Sequence, residues 1–231
     1  MTADAGAQHF LDMFSDPAAV ARYTEGPRRF VPGIDGLHRM IAILLAEQAP
    51  QDATVLVLGA GGGLELKAMS EAQQGWHFVG VDPAAEMLKL AACMIGPAID
   101  RTELVEGYID DAPAGPFDAA TCLLTLHFLD AEERGRTLRE IRKRLKPGAP
   151  FVAAHGSYPQ EASEQWLSRY AAYAVASGAD PEQAEMARKA VAASVNMLDP
   201  AQDEAILREA GFNRIEQFFA AFTWRGWVAY A

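Results

Sequence analysis

Thr54-Val55-Leu56-Val57-Leu58-Gly59-Ala60-Gly61-Gly62-Gly63-Leu64-Glu65-Leu66 is the stretch from which the fold of this 231-residue chain is read. Its aliphatic run has no polar alternation, so it predicts a strand buried on both faces, as at the centre of a parallel sheet. Gly59, Gly61 and Gly63 then let the backbone turn sharply and approach a ligand that any Cβ would hold off. The pattern turns helical at once, and the free N–H groups of a helix start face the same place. Beyond the turn a second apolar run, Phe78-Val79-Gly80-Val81, ends in Asp82. A carboxylate at that strand end can accept both ribose hydroxyls of a nucleoside. Strand, glycine turn, helix and acidic strand end together predict a nucleoside-cofactor site.

Working outward, the composition is that of an ordinary soluble chain, half of it hydrophobic, with length for one sizeable domain spanning 1–231. Acidic residues number 31 against 20 basic ones. That balance argues against a surface built for a phosphate backbone, so no nucleic-acid partner is expected. Cys93 and Cys122 have no ligand spacing and read as small buried hydrophobes; no metal is expected. The start Met1-Thr2-Ala3-Asp4 lacks a basic n-region and an apolar h-region, and no apolar run reaches membrane-spanning length. The expectation is a cytoplasmic protein with no membrane partner.

Residues 8–48 read as an N-terminal helical cover. Phe10, Leu11 and Phe14 form one cluster, and Asp16-Pro17 suits a helix start. Prolines and glycines break the segment from Arg22 to Gly33, and Leu37, Ile41, Leu44 and Leu45 then recur at helical spacing. Strand and helix alternate from there: strands near 53–58, 76–81, 103–106, 117–124 and 151–154, with helices to about Gln74, from Pro83 to Ile95 and from Glu132 to Leu145. Pro83 suits the first helical position. Residues 159–197 form a helical insertion, expected on the substrate side because loops after strand C-termini build the pocket in open α/β sheets. A helix over 203–210 precedes two strands, 214–220 and 222–230, joined too tightly to be anything but antiparallel. The predicted architecture is an α/β three-layer sandwich, helices on both faces of a seven-stranded, mostly parallel sheet with a C-terminal antiparallel hairpin.

Several of these segments carry a family likeness. Leu58-Gly59-Ala60-Gly61-Gly62-Gly63, Val81-Asp82-Pro83, Glu106-Gly107, Phe117-Asp118-Ala119-Ala120 and Leu145-Lys146-Pro147-Gly148 resemble the class I S-adenosylmethionine-dependent methyltransferases, which implies their Rossmann-like fold. Val31-Pro32-Gly33, Leu124-Thr125-Leu126-His127-Phe128-Leu129, Ala210-Gly211-Phe212 and Phe218-Phe219-Ala220-Ala221-Phe222 are similar to the carboxy-S-adenosylmethionine synthase group, which uses that fold to make a carboxylated cofactor for tRNA modification. This chain departs from that group at three places. Ile34 stands where Tyr is usual, Tyr108 where Asp is usual, and Ala190, beside Lys189, where an Arg would hold the extra carboxylate. The resemblance with these departures implies plain S-adenosylmethionine. It further implies that Gly59, Ala60, Gly61 and Gly63 line the cofactor's methionine and ribose and that Asp82 binds the ribose hydroxyls. Pro83 and Met87 would flank the adenine, Tyr108 and Ile109 would edge it, and the Leu123 backbone would approach the ammonium.

Methyl transfer from a sulfonium is an in-line displacement in which positive charge disperses, so alignment and desolvation dominate. A base is needed only where the acceptor must lose a proton. His127 and His155, at strand C-terminal ends, are the candidate catalytic bases, against the plain alternative that each caps a strand end. Arg28, with Tyr23 and Arg29 before the Pro32-Gly33 turn, is a candidate clamp for a carboxylate. Trp166, Tyr170 and Tyr173 share a helical face and read as packing, and Asp110-Asp111 reads as a turn. The basic residues from Arg134 to Lys146 read as the wet face of an amphipathic helix.

The leading function is methyl transfer to a small-molecule acceptor. The alternatives are a carboxylated-cofactor synthase and a cofactor-binding protein without catalysis. A nicotinamide-dependent oxidoreductase is disfavoured, since the third glycine follows the second by two residues, not three. Partners expected are the small-molecule acceptor and, at most, a second copy of the chain in a homodimer.

Overall fold

The computed structural model describes Asp12, Phe14, Asp16, Val20 and residues 23–231. The expectations for Phe10, Leu11, Pro17 and Arg22 lie outside the described residues. A short helix α1 (Gly26–Phe30) and a longer one, α2 (Ile34–Ala46), precede the sheet. Alternation then runs through β1 (Thr54–Leu58), α3 (Leu64–Ala72), β2 (His77–Asp82), α4 (Ala85–Ile95) and β3 (Thr102–Glu106). It continues with β4 (Ala119–Leu123), α5 (Ala131–Lys143) and β5 (Pro150–Gly156). Helices α6 (Ser163–Ala176), α7 (Pro181–Ser194) and α8 (Pro200–Glu209) lead to the final strands β6 (Asn213–Ala221) and β7 (Trp224–Tyr230).

The sheet order is β3-β2-β1-β4-β5-β7-β6. β1 pairs in parallel with both β2 and β4, and β7 runs antiparallel between β5 and β6. The chain first builds outward to β3, then returns across β1 to build the other half. The strand order therefore reverses at β1, and the crevice outside the carboxyl ends of β1 and β4 is where such sheets bind ligands.

The quoted stretch explains why β1 is central. Val55 and Val57 pack with Leu37, Ile41 and Leu45 of α2 and Leu66 of α3 on one face of the sheet. Leu56 and Leu58 pack with Leu138 and Ile141 of α5 on the other. Every second residue meets a different helical layer, so neither face tolerates a polar side chain. Helices α6 and α7 are separated by a start at Asp180, whose carboxylate accepts the Glu182 and Gln183 N–H groups ahead of α7.

Four expectations are corrected at the level of local structure. Pro83 is not the first helical residue: the N-cap of α4 is Ala84, and Pro83 forms the bend before it. β4 ends at Leu123, because Leu124 turns into the left-handed region at φ 52°. Cys93 is exposed on α4, while Cys122 is buried as expected. Arg134 is not on the wet face of α5 but fully buried beneath it.

Candidate functional site

The turn after β1 is built by three glycines in the left-handed region: Gly59 at φ 75°, Gly61 at φ 49° and Gly63 at φ 82°. Two of them have a further reason to lack a side chain. A Cβ on Gly59 would overlap the Thr125 hydroxyl, and one on Gly63 would come 2.8 Å from the Ala91 Cα of α4. The turn is fastened to the neighbouring strand, since the Gly59 and Ala60 N–H groups both donate to the Val81 carbonyl, at 2.8 and 3.0 Å. Asp82 completes the fastening: Oδ2 accepts the Gly61 N–H at 2.9 Å and Oδ1 accepts the Ala84 N–H at 2.9 Å. Burial raises the Asp82 carboxyl above the usual range, and these two hydrogen bonds work against that rise.

The end of β3 is brought to the same place by the Gly107 N–H, which donates to the Asp82 carbonyl at 3.1 Å. Tyr108 therefore stands exposed at the rim, with Ile109 buried behind it. Met87 is buried beside the turn; its Cε lies 3.5 Å from where a Cβ of Gly61 would stand. The other wall is the end of β4. Leu123 and Leu124 line a crevice with Gly59 and Ala60, opposite Ile34 and His38 of α2. A left-handed conformation in a leucine costs about 1–2 kcal/mol, and such residues gather at functional clefts.

Of the residues expected to contact a cofactor, Gly59, Ala60 and Leu123 line this crevice, while Gly61, Gly63, Asp82 and Met87 belong to the adjoining turn and its supports. Pro83, Tyr108 and Ile109 stand at its β2 and β3 edge. Arg28 is elsewhere: its guanidinium reaches Asp35 at 3.4 Å with its side chain 63% exposed. Arg29 pairs with Glu25 at 2.7 Å. Both belong to an α1–α2 surface governed by local charge pairing.

Two residues given no role by the sequence reading, His38 and Glu65, line the crevice, and so does Tyr23, which that reading named only beside the candidate clamp Arg28. Tyr23 packs against the turn, close enough that a Cβ on Gly62 would press on its ring at 2.8 Å. It is wedged edge-on to Phe14, and burial pushes its hydroxyl above the ordinary phenol range. His38 is buried on α2, and burial lowers its imidazole to about 4, so it is neutral at pH 7. Glu65, in the first turn of α3, is buried and takes a 2.6 Å hydrogen bond from the Thr121 hydroxyl. Burial raises its carboxyl to about 8. The available signal was a carboxylate and an imidazole each set in an otherwise apolar helical stripe, next to Leu66 and Leu37.

The two candidate histidines sit deeper. His127, in the turn after β4, is buried between Phe128 and Trp224, at ring-centre distances of 4.4 and 5.7 Å. Its Nδ1 accepts the Gly156 N–H at 3.3 Å, and burial holds its pKa well below the usual value. His155 is buried at the end of β5, its Nε2 3.2 Å from Asp203 of α8. Asp203 is also paired with Arg134, which donates to the Leu126 and Asn196 carbonyls at 3.1 and 2.6 Å. Burial alone would raise the Asp203 carboxyl, but His155 and Arg134 beside it hold it below the usual range. This cluster ties β4, α5, the segment after α7 and α8 together. Among the described residues no group of three or more His, Cys, Asp or Glu side chains is arranged to hold a metal.

With this geometry in view, residues 56–151 match the family model described as a methyltransferase domain, a span that includes the glycine turn, Asp82 and the end of β4. That match, with the relatives and solved structures that follow, supports a class I S-adenosylmethionine-dependent methyltransferase. The chain is similar to the carboxy-S-adenosyl-L-methionine synthase of Chromohalobacter salexigens, 27% identical over 224 residues covering 93% of this chain and 82% of that protein. The synthase of the same name from Staphylococcus epidermidis is 22% identical over 211 residues, covering 89% of this chain and 91% of that one. Among solved structures, an O-methyltransferase family protein from Burkholderia thailandensis superposes with a TM-score of 0.69 at 14% identity, over 95% of this chain and 61% of that chain. At that identity the likeness is one of fold. The chain spans about three fifths of the length of several of the solved structures it matches.

Proposed function

We propose that this chain binds S-adenosylmethionine in the crevice at the ends of β1 and β4 and transfers its methyl group to a small-molecule acceptor in the cytoplasm. The observation that carries the reading is the left-handed glycine turn joined to Asp82 through the Gly61 N–H. The turn brings main chain rather than side chains to the crevice wall at Gly59, and Asp82 keeps further lone pairs for ribose hydroxyls. Bound there, the cofactor supplies an electrophilic methyl group on a sulfonium.

The chain's own residues then have three tasks. Asp82 and the turn fix the nucleoside; Leu123, Leu124 and Ile34 keep water from the reacting face; the end of β4 sets the direction from which an acceptor approaches. The N-terminal helices and the α6–α7 insertion act as the cover on the acceptor side. They meet through a stacked Phe30–Tyr170 pair, ring centres 5.1 Å apart, and through Trp224, whose indole N–H donates to the Phe30 carbonyl at 2.9 Å. An acceptor that carries no proton to lose needs no base. One that does would turn to His127, whose ring centre lies 5.7 Å from that of Trp224.

A second reading, a synthase of carboxylated S-adenosylmethionine, is favoured by the two relatives of that name. Against it, α7 offers no free guanidinium at the expected place: Arg188 is held by Glu185 at 2.7 Å, and Lys189 is 70% exposed. Calorimetry with S-adenosylmethionine and S-adenosylhomocysteine, followed by mass spectrometry of the ligand copurified from cells, tests both. Binding of the plain cofactor and formation of S-adenosylhomocysteine with an acceptor panel support methyl transfer. A copurified carboxylated cofactor moves the assignment to the synthase, and no heat with either nucleoside overturns both.

A further inference from the structure

We infer that Glu65 is the counter-ion for the ammonium group of the bound cofactor's amino-acid tail, so that cofactor binding and loss of the Glu65 proton are one event. The inference rests on the cofactor assignment above and deepens it.

The tail of S-adenosylmethionine brings a positive ammonium into a crevice walled by leucines and by the glycine turn. A cation moved from water into such a place needs an anion or several oriented carbonyls. Among the described residues, Glu65 supplies the carboxyl that lines the crevice, beside Gly59, Ala60 and Leu123. The described residues give its side chain a single hydrogen bond, the 2.6 Å donation from Thr121 to Oε1, which leaves acceptor capacity on both oxygens. Asp82 is already engaged by two N–H groups, and the Leu123 carbonyl accepts the Thr125 hydroxyl at 2.8 Å.

The surroundings explain why Glu65 waits in its neutral form. Among the described residues, the titratable groups facing it are Tyr23 from the N-terminal segment, Asp82 from β2, Cys122 from β4 and, across the crevice, His38 from α2. Tyr23 and Cys122 are held neutral by burial, His38 is neutral at pH 7, and Asp82 opposes a second negative charge. No cation among them stabilises a Glu65 carboxylate, so it keeps its proton to about pH 8. An arriving ammonium changes that balance: Glu65 releases a proton to solvent, and the carboxylate and ammonium pair. No bond of the cofactor is altered.

The test is titration calorimetry of the full chain with S-adenosylhomocysteine at pH 7 in buffers of different ionisation enthalpy, set beside 5′-methylthioadenosine, which has the nucleoside but no amino-acid tail. The expected result is release of close to one proton with S-adenosylhomocysteine and none with 5′-methylthioadenosine. Glu65→Gln should abolish the release and weaken S-adenosylhomocysteine at least about tenfold, while 5′-methylthioadenosine binds within about twofold of wild type. No proton release from the wild-type chain, or equal weakening of both ligands in Glu65→Gln, overturns the inference; the wild-type proton count decides it even where the variant does not fold. If neither ligand binds the wild-type chain, the cofactor assignment itself falls and takes this inference with it.

Discussion

Asp82 and Gly61 are joined by a 2.9 Å hydrogen bond in which the carboxylate at the end of β2 accepts a main-chain N–H from the turn after β1. One side chain thus holds the turn in shape and, under the proposed function, also holds the ribose. The two tasks separate by substitution. Asp82→Asn keeps one oxygen for Gly61 or Ala84 and should retain the fold, while Asp82→Ala leaves two N–H groups unpaired, a loss of about 1–3 kcal/mol. Both variants should bind S-adenosylhomocysteine more weakly, Asp82→Ala by at least about tenfold. Melting curves and calorimetry on the same samples check this, and unchanged affinity in Asp82→Ala would refute the ribose role.

Glycine is required in this protein for two different reasons, and a pair of variants distinguishes them. Gly148 has φ 77° with nothing within 4 Å of where a Cβ would stand. Gly63 has φ 82° and the backbone of Ala91 at 2.8 Å. Gly148→Ala meets only the left-handed penalty, about 1 kcal/mol. Gly63→Ala adds a clash between α3 and α4 that neither main chain can relieve, so it should cost several kcal/mol more than Gly148→Ala. Denaturant unfolding of the two variants measures the gap; equal midpoints would show that the α3–α4 approach is not tight.

How far the sequence reveals this molecule depends on how local the cause is. The order of β1, the glycine turn, β2 and Asp82 was legible because each rests on a short pattern: an unalternating aliphatic run, a glycine cluster, an acid at a strand end. The hairpin was legible because two strands with almost no link can only be antiparallel. The insertion of β7 between β5 and β6 was not, since nothing in either strand says which neighbour it takes. Glu65 and His38 were passed over, and Tyr23 was named only beside Arg28, for a related reason. Their importance comes from burial beside the turn, and burial of a polar side chain in an amphipathic stripe is settled by what packs over it. Arg134 shows the converse, since α5 is rich in basic residues on its wet side and one arginine among them points inward to Asp203.

That inward pair gives the third prediction. Arg134 and Asp203 are each about 1% exposed at the side chain and contact one another, with His155 also at Asp203. Removing one member leaves the other charge buried without its partner. Arg134→Ala and Asp203→Ala should therefore each cost about 3–5 kcal/mol. Arg134 also donates to three main-chain carbonyls, so its loss should be the larger. The double variant should cost less than the sum of the two, because the second removal no longer strands a charge. A double-mutant cycle by chemical unfolding measures the coupling; strict additivity would show that the pair does not act as a unit.

The last prediction concerns the pH dependence of the ligand-free chain, where buried groups pull in opposite directions. Glu65 is raised from 4.5 to about 8 in the folded chain, so its contribution is fully present below pH 4.5 and is lost as pH climbs through 8. His38 is lowered from 6.5 to about 4, so its contribution is present above pH 6.5 and is lost as pH falls through 4. His127, lowered by burial, acts with the same sign as His38. Between pH 4.5 and 6.5 the slopes oppose one another, whereas from pH 6.5 to 8 Glu65 titrates without that opposition. Over this upper window wild type should lose about 2 kcal/mol relative to Glu65→Gln, or roughly 4–8 °C in Tm. Thermal melts of both proteins at pH 6.5, 7.2 and 8 give the difference directly. Parallel curves would mean that Glu65 is already ionised in the folded chain, and the proton-linked binding derived from its burial would have no source.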